Sequence, residues 1–335
     1  MAQLRSRYTI MNICQQNHWD KIFCLSSDSP VIDEIFFWKN NLKSINHRFI
    51  VDYSLPQVFV YSDASHSGCG AWAKIGSNDD VMLKCNFSWS ELERGKSSTW
   101  RELKGIALAL LSFTPDLQGK RVQVFTDNQG VVSIINKGSM NVGLHNMSID
   151  IASLCRRKSI SLQIQWVPRE ENVLADQISK EIDFDDWGVS HKFFVYMDEM
   201  WGPHTVDRFA DQNNKKLTLF NSKYSCPGTN AVDAFSVDWS SDNNWLVPPI
   251  YLIGQVLRHV RVCKAKASLV VPCWPSAPFW PLLFSEHSSF SSMVSQRISF
   301  PNSSDIYVQG RNRFSVFGSD KFKSDVICVR LDGRR

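Results

Sequence analysis

The sequence predicts an α/β protein: a mixed five-stranded sheet with flanking helices, followed by a second, smaller α/β module. Three observations predict it. Residues 58–87 hold three runs with the two-residue period of strands, residues 100–113 switch to a helical period, and strand-like and helix-like runs then alternate as far as Lys180. Alternation of this kind, over some 130 residues, is the pattern of a sheet covered by helices.

Taken in order, residues 1–55 form a helical extension in which Glu34, Ile35, Phe36, Phe37, Trp38 and Leu42 give apolar contacts at helical spacing. Residues 56–182 form the first α/β domain. Its opening strands are Val58–Ser62, Gly70–Ile75 and Val81–Phe87, with turns at Ser67-Gly68 and across residues 76–80. Leu103, Ile106, Ala107, Leu110 and Leu111 then make one face of a helix that Pro115 closes. Val122–Thr126 is a fourth strand, Val131–Asn136 a short helix, and Leu144, Met147, Ile151 and Leu154 mark a longer one. Ser161–Val167 alternates again as the fifth strand, and Asn172–Lys180 reads as a closing helix.

Past the acidic run at residues 183–186 a second α/β module extends over residues 183–284. It has strands at Val206–Ala210, Ala234–Val237 and Ala267–Val271, and an amphipathic helix at Tyr251–Val262. Residues 285–335 read as a loop-rich basic segment, Ser-rich to Ser304, with alternation after Arg311 that admits a final edge strand.

Composition excludes several classes. With 335 residues, 43% apolar and 21% charged, the chain can bury two ordinary cores and is not a disordered tail. No apolar run nears the roughly 20 residues that cross a bilayer, and the first fifteen residues lack a signal-peptide core, so no membrane is expected. Nine cysteines without a CxxC pair speak against a disulfide scaffold or a zinc site. A formal charge of +4 is too small for a tail-type nucleic-acid binder, so any such contact must come from local placement. No heptad supports self-association, and oligomeric state stays open.

Four acids carry the chemistry. Asp63 ends the first strand, Glu102 lies early in the first long helix, Asp127 ends the fourth strand, and Asp176 lies near the start of the closing helix. Carboxylates at strand ends and helix starts can converge, at a cost in mutual repulsion that hard divalent cations offset. Two such ions about 4 Å apart suit phosphodiester hydrolysis, one activating water and the other stabilising the leaving oxygen. Each acid taken singly also reads as an ordinary solvated residue or cap.

The runs Tyr61-Ser62-Asp63-Ala64-Ser65, Gly68-Cys69-Gly70-Ala71-Trp72, Glu102-Leu103, Thr126-Asp127-Asn128-Gln129 and Asn172-Val173-Leu174-Ala175-Asp176 resemble the signature of the type 1 ribonuclease H family, in the version of reverse-transcribing elements. The resemblance implies a ribonuclease H-like fold for residues 56–182. It implies two Mg2+ ions, or Mn2+ in their place, on Asp63, Glu102, Asp127 and Asp176, and cleavage of the RNA strand of an RNA–DNA hybrid to leave a 3′-hydroxyl. Asn128 is expected to touch the RNA strand, where an amide can both donate to and accept from a 2′-hydroxyl, or else to cap a helix. Ser65 and Gln129 are further candidates for substrate contact. Arg156-Arg157-Lys158 would meet the DNA-strand phosphates, or simply complement a helix end. Many family members carry a histidine a few residues before the last acid that is thought to help product release. Here residues 166–172 read Trp-Val-Pro-Arg-Glu-Glu-Asn, which implies slower turnover. His66 and His145 read as surface or capping residues.

Wider matches, among them Trp201-Gly202-Pro203, Val206-Asp207-Arg208-Phe209-Ala210, Pro248-Pro249 and Val270-Val271-Pro272-Cys273-Trp274-Pro275, resemble the region after ribonuclease H in the DIRS group of tyrosine-recombinase retrotransposons. That region is similar, more distantly, to phage-type adenine-N6 DNA methyltransferases. The polar residue before Pro-Pro, which would bind the adenine amino group, is Val247, and the aromatic after it is Ile250, so the module is expected to be a degenerate or structural one. No polymerase motif is present, and a retroelement polymerase domain would be supplied in trans. The expected function is that of the hybrid-cleaving part of a retroelement replication protein, in cytoplasm or nucleus. The alternative is a weak or inactive nucleic-acid-binding scaffold.

Overall fold

Three neighbouring strands open the first sheet of the computed structural model, β1 (Val58–Ala64), β2 (Gly68–Ile75) and β3 (Met82–Ser88), with β1 and β2 antiparallel. The structure describes residues 3–16, 20, 22, 24–45, 55–76, 82–284, 291–301, 305–311 and 313–335. The expected turn at 76–80 and the start of the third strand at Val81 therefore lie mostly outside the described residues. Two units divide the chain: residues 1–87 with 91–180, and residues 88–90 with 181–335.

In the first unit β1 is central. It pairs antiparallel with β2 and parallel with β4 (Arg121–Thr126), which pairs parallel with β5 (Ser161–Trp166), giving the order β3-β2-β1-β4-β5. This is the mixed five-stranded sheet expected from the alternating runs. The crossover from β3 to β4 uses α3 (Glu91–Arg94), α4 (Ser98–Ser112) and α5 (Thr114–Leu117). Ser97 caps α4, its side chain accepting from the Trp100 N–H at 3.2 Å. The α4 face of Leu103, Ile106, Ala109 and Leu110 is wholly buried, each leucine or isoleucine side chain contributing about 1.5–3 kcal/mol of burial. Helices α6 (Gln129–Lys137) and α7 (Val142–Arg157) connect β4 to β5, and α8 (Val173–Lys180) follows.

Two helices precede the sheet and belong to the same unit: α1 (Arg7–Cys14) and α2 (Pro30–Ile45). Glu34 of α2 is buried because it caps α1, accepting from the Tyr8 and Thr9 N–H groups at 2.8 Å each and from the Thr9 hydroxyl at 2.8 Å. That carboxylate ties α2 to the N-terminus of α1, while Ile35, Phe36 and Leu42 of the expected apolar stripe are exposed.

The second unit departs further from expectation. Its elements are β6 (Trp187–Val189), α9 (His191–Trp201), β7 (Val206–Asp207), β8 (Asn221–Ser222), β9 (Ala231–Val232), β10 (Asn243–Leu246), α10 (Ile253–Val262), β11 (Lys266–Pro272), α11 (Trp280–Leu283), β12 (Val294–Phe300), β13 (Tyr307–Gln309) and β14 (Val326–Asp332). Its main sheet has the order β12-β14-β11-β10-β7, with β7, β10 and β11 mutually parallel and β14 antiparallel to both its neighbours. Residues 285–335 are therefore not a loop-rich appendage. β14 is an interior strand, not an edge, and Val326, Cys328, Val329 and Leu331 on it are all fully buried. Residues 285–290 and 302–304 of that segment lie outside the described residues. The strand expected at Ala234–Val237 is instead a 3-10 turn, Ala234–Ser236, because the Asp233 side chain accepts from the Phe235 N–H at 3.0 Å and curls the backbone.

Glycines 68 and 70 have a packing reason. A Cβ on Gly70 would fall 2.4 Å from the Ser179 backbone nitrogen and 2.6 Å from the Ile178 carbonyl carbon, so α8 approaches β2 only because position 70 is bare. Gly70→Ala must push α8 away from β2, and we expect a loss of about 1–3 kcal/mol, read as a lower midpoint in urea or thermal unfolding; an unchanged midpoint would mean the helix is not held that closely.

Candidate acidic metal centre

The parallel register of β1 and β4 positions two acids together. Tyr61 lies opposite Phe125; two residues further along each chain come Asp63, near the end of β1, and Asp127, just past the end of β4. Asp63 also pairs with Gly70 across β2, so no side chain from that partner covers it. The third acid comes from α4. Gly105 allows that helix close to the sheet, its Cβ position lying 3.1 Å from the Cys69 Cβ and 3.4 Å from the Ser62 hydroxyl. Glu102, one turn earlier, then reaches the end of β1, where the Ala64 N–H donates to its carboxylate. The Asp63, Glu102 and Asp127 carboxylates each offer an oxygen, and these lie within 4.8 Å of one another.

Asp63 and Glu102 are buried, and Asp127 is half-buried. Burial pushes the Asp63 carboxyl above its ordinary range, the Asp127 and Asp176 charges adding to the effect while a 2.6 Å hydrogen bond from the Ser179 hydroxyl opposes it. Glu102 is pushed to about 9, first by burial and then by Asp63 and Asp127. Its Oε2 atom is buried with no hydrogen-bond partner. An unpartnered buried carboxylate oxygen facing two further carboxylates is the donor set that a hard divalent cation takes.

Asp176 is held differently. Its Oδ1 receives the Arg169 guanidinium at 3.0 Å and its Oδ2 the Lys180 ammonium at 2.6 Å. These two cations hold its carboxyl below the ordinary range, Lys180 having the larger effect. Three of the four acids expected to converge thus form one cluster, while the fourth is close enough to act on Asp63 and is paired within its own segment. The sequence reading overlooked Arg169. The signal available was its position in the loop where the histidine is missing, seven residues before Asp176.

The expected substrate contacts divide. Asn128 caps α6, its carboxamide oxygen accepting from the Val131 N–H at 3.1 Å, which leaves the amide NH2 as the group free of that role. Gln129 is exposed at the first turn of α6. Ser65 is engaged within the hairpin: its hydroxyl donates to the Ser179 carbonyl at 2.6 Å and accepts from the Gly68 N–H at 3.2 Å, so it organises the turn and its junction with α8. Arg156 turns to α2, hydrogen-bonding Asn41 with its guanidinium 5.7 Å over the Phe37 ring. Arg157 is exposed, and Lys158 is the C-cap of α7. His66 is exposed and contacts the Arg101 guanidinium at 3.2 Å. His145 is neither surface nor cap: it is fully buried, with no partner on either ring nitrogen and the Tyr8 ring edge-on at 4.9 Å. Burial holds its pKa below the ordinary histidine value.

The second unit has a cavity of about 220 Å³ beyond the carboxyl ends of β7 and β10, walled by Trp187, Phe209, Phe235, Val247 and Tyr251. Val247, before Pro248-Pro249, contributes no hydrogen-bonding side chain, and the Tyr251 hydroxyl is 3.1 Å from Asp185. Among the described residues no helix is long and apolar enough to cross a membrane.

Comparison with known proteins matches residues 60–182 to the family described as Reverse transcriptase-like. No curated protein matches the chain. Among solved structures, LC11-RNase H1, isolated from compost by a metagenomic approach, is 18% identical, covering 37% of this chain and 93% of its own, at a TM-score of 0.29. RNase H1 from the halophilic archaeon Halobacterium salinarum is 18% identical over 36% and 92%, also at 0.29. The protease-reverse transcriptase of prototype foamy virus is 10% identical over 48% of this chain and 21% of that one, at 0.27.

The raised Glu102 value fixes a pH dependence. A carboxyl whose folded pKa exceeds its unfolded value contributes stability that is fully present below the unfolded value of about 4.5 and is lost as pH rises toward about 9. In metal-free buffer, Glu102→Gln should therefore raise the unfolding midpoint at pH 8, by at least about 2 °C, and leave it unchanged near pH 4; the same shift at both pH values would contradict the assigned cause.

Proposed function

We propose that the first unit hydrolyses phosphodiesters in a metal-dependent reaction and that its substrate is the RNA strand of an RNA–DNA hybrid. The observation that carries this reading is the Asp63, Glu102 and Asp127 cluster, whose carboxylates each offer an oxygen within 4.8 Å of the others. The Reverse transcriptase-like match over residues 60–182 agrees with it. Asp63, Glu102 and Asp127 would hold Mg2+ or Mn2+, with Asp176 completing a two-ion site. The cation supplies positive charge to the phosphate and acidity to the attacking water.

The chain's own residues do the rest. Ser179 fixes the Asp63 carboxylate through its hydroxyl, and the Ala64 N–H orients Glu102. The buried amide of Asn172 donates to the Ser62 carbonyl at 3.0 Å, tying the start of α8 to β1 and so fixing Asp176 relative to Asp63. Asn128, beside Asp127, has an NH2 group to offer a 2′-hydroxyl, and Gln129 and Arg157 are exposed for backbone contacts.

More finely, we read the chain as the nuclease part of a retroelement replication protein, of the DIRS group by its residue-level resemblance, working with a polymerase domain. The second unit is read as a structural module and not as a methyl-transferring one, in view of Val247 and Ile250 beside Pro248-Pro249. A second reading, a hybrid-binding scaffold with little turnover, is favoured by one observation: both oxygens of Asp176 are already occupied by Arg169 and Lys180.

A labelled hybrid incubated with purified protein and Mg2+, with duplex RNA and duplex DNA as controls, tests this. The RNA strand of the hybrid alone should be cut. Loss of an outer partner of a metal ligand costs about 10–100-fold, so Asp127→Asn, which removes a ligand, should lower the rate by more than that. Equal cleavage by the variant would defeat the assigned site, and hybrid binding without cleavage by the wild type would establish the scaffold.

A further inference from the structure

Arg169 belongs to the loop before α8 and has no role in the chemistry described so far. It lies in a single 3-10 turn, Arg169–Glu171, that follows Pro168. Its guanidinium donates to Asp176 Oδ1 at 3.0 Å, and the charges of Asp63 and Asp127 reach it as well. The acid centre thus has two unlike halves. In one, Asp63, Glu102 and Asp127 crowd together, and Glu102 Oε2 has no hydrogen-bond partner. In the other, Asp176 is neutralised by groups of its own segment, Arg169 from the preceding turn and Lys180 four residues on.

We propose that Arg169 is a positioning residue that gates a weaker, second cation site at Asp176: its guanidinium holds Asp176 in the apo protein and has to release it before a divalent cation can use that carboxylate. The proposal rests on the reading of the acid cluster as a cation site.

The geometry suits a gate. The Arg169 side chain is 67% exposed, so its pair with Asp176 is of the weak, solvent-screened kind that a divalent ion displaces. Its backbone is fixed, because Asn172 closes the 3-10 turn through its N–H to the Arg169 carbonyl and anchors to the Ser62 carbonyl through its side chain. The guanidinium can therefore swing away while the loop and α8 stay in place. The other half has no such competitor: Asp63 accepts from the neutral Ser179 hydroxyl at 2.6 Å. The two cations should accordingly bind with unequal affinity, the first at Asp63, Glu102 and Asp127, the second against Lys180 on Oδ2 and Arg169 on Oδ1, of which Arg169 is the one carried by the loop before α8. A guanidinium released beside this cluster also lies where a phosphate would be met, and it can pair with two phosphate oxygens at once.

The test is a Mn2+ titration of the full chain, free ion being read by electron paramagnetic resonance, on wild type, Arg169→Gln, Arg169→Lys and Asp176→Asn, each checked for folding by circular dichroism. Two unequal binding events are expected in the wild type. Arg169→Gln should tighten the weaker event several-fold and leave the tighter one unchanged. Arg169→Lys should stay near wild type, and Asp176→Asn should lose the weaker event. A weaker event indifferent to Arg169→Gln, or both events shifting alike, overturns the gate while leaving the metal centre standing. No Mn2+ bound by either wild type or Arg169→Gln overturns the gate and the metal reading together.

Discussion

Mutual repulsion among carboxylates that burial has stripped of water is the constraint on which the first unit turns. Asp63 and Glu102 are nearly inaccessible, and Asp127 is beside them. An arrangement of this kind disfavours its own charged state, as the elevated Glu102 pKa expresses, and folding alone gives no reason to assemble it. What brings the acids together is the ordinary core. The β1–β4 register aligns Asp63 with Asp127, the bare Gly70 admits α8, and Gly105 lets α4 approach with Glu102 at its start. Hydrophobic burial along α4 and β1 offsets the electrostatic cost and holds the cluster in one geometry.

Asp176 shows the same constraint resolved differently. Near the cluster but still half-exposed, it has drawn two cations from neighbouring positions, and its pKa moves in the opposite direction. Two carboxylates on adjoining elements, one raised and one lowered, give the site its asymmetry. The proposed order of cation binding follows from that difference.

Much of this was legible in the sequence where information is local. Period-two runs ending in Asp63 and Asp127, and an apolar helix stripe with Glu102 near its start, mark both the strands and the acids. Side-chain commitments made across the fold were not legible. Ser65 reads as a candidate substrate contact, and its bond to Ser179, more than a hundred residues away, is visible only in the fold. Arg156 reads as a phosphate contact or a complement to its helix end, and its packing over Phe37 is visible only in the fold. His145 reads as a polar surface residue, yet it is enclosed beside Tyr8. The second unit was harder for a related reason. β10, Asn243–Leu246, is short and buried along most of its length, so it has no alternation to find. β14 looks like a terminal strand because sequence position does not reveal that it is inserted between β11 and β12. Helix α9 could have been found from its Ser190 cap and from Phe193, Phe194, Met197 and Trp201 at helical spacing.

The most direct measurement is a crystal structure of the protein soaked in MnCl2, with anomalous difference maps calculated at the manganese edge. The account predicts a strong peak enclosed by the carboxylates of Asp63, Glu102 and Asp127, at bonding distance from the now partnered Oε2 of Glu102. Manganese found elsewhere, with those three carboxylates still facing one another and no peak between them, would contradict it.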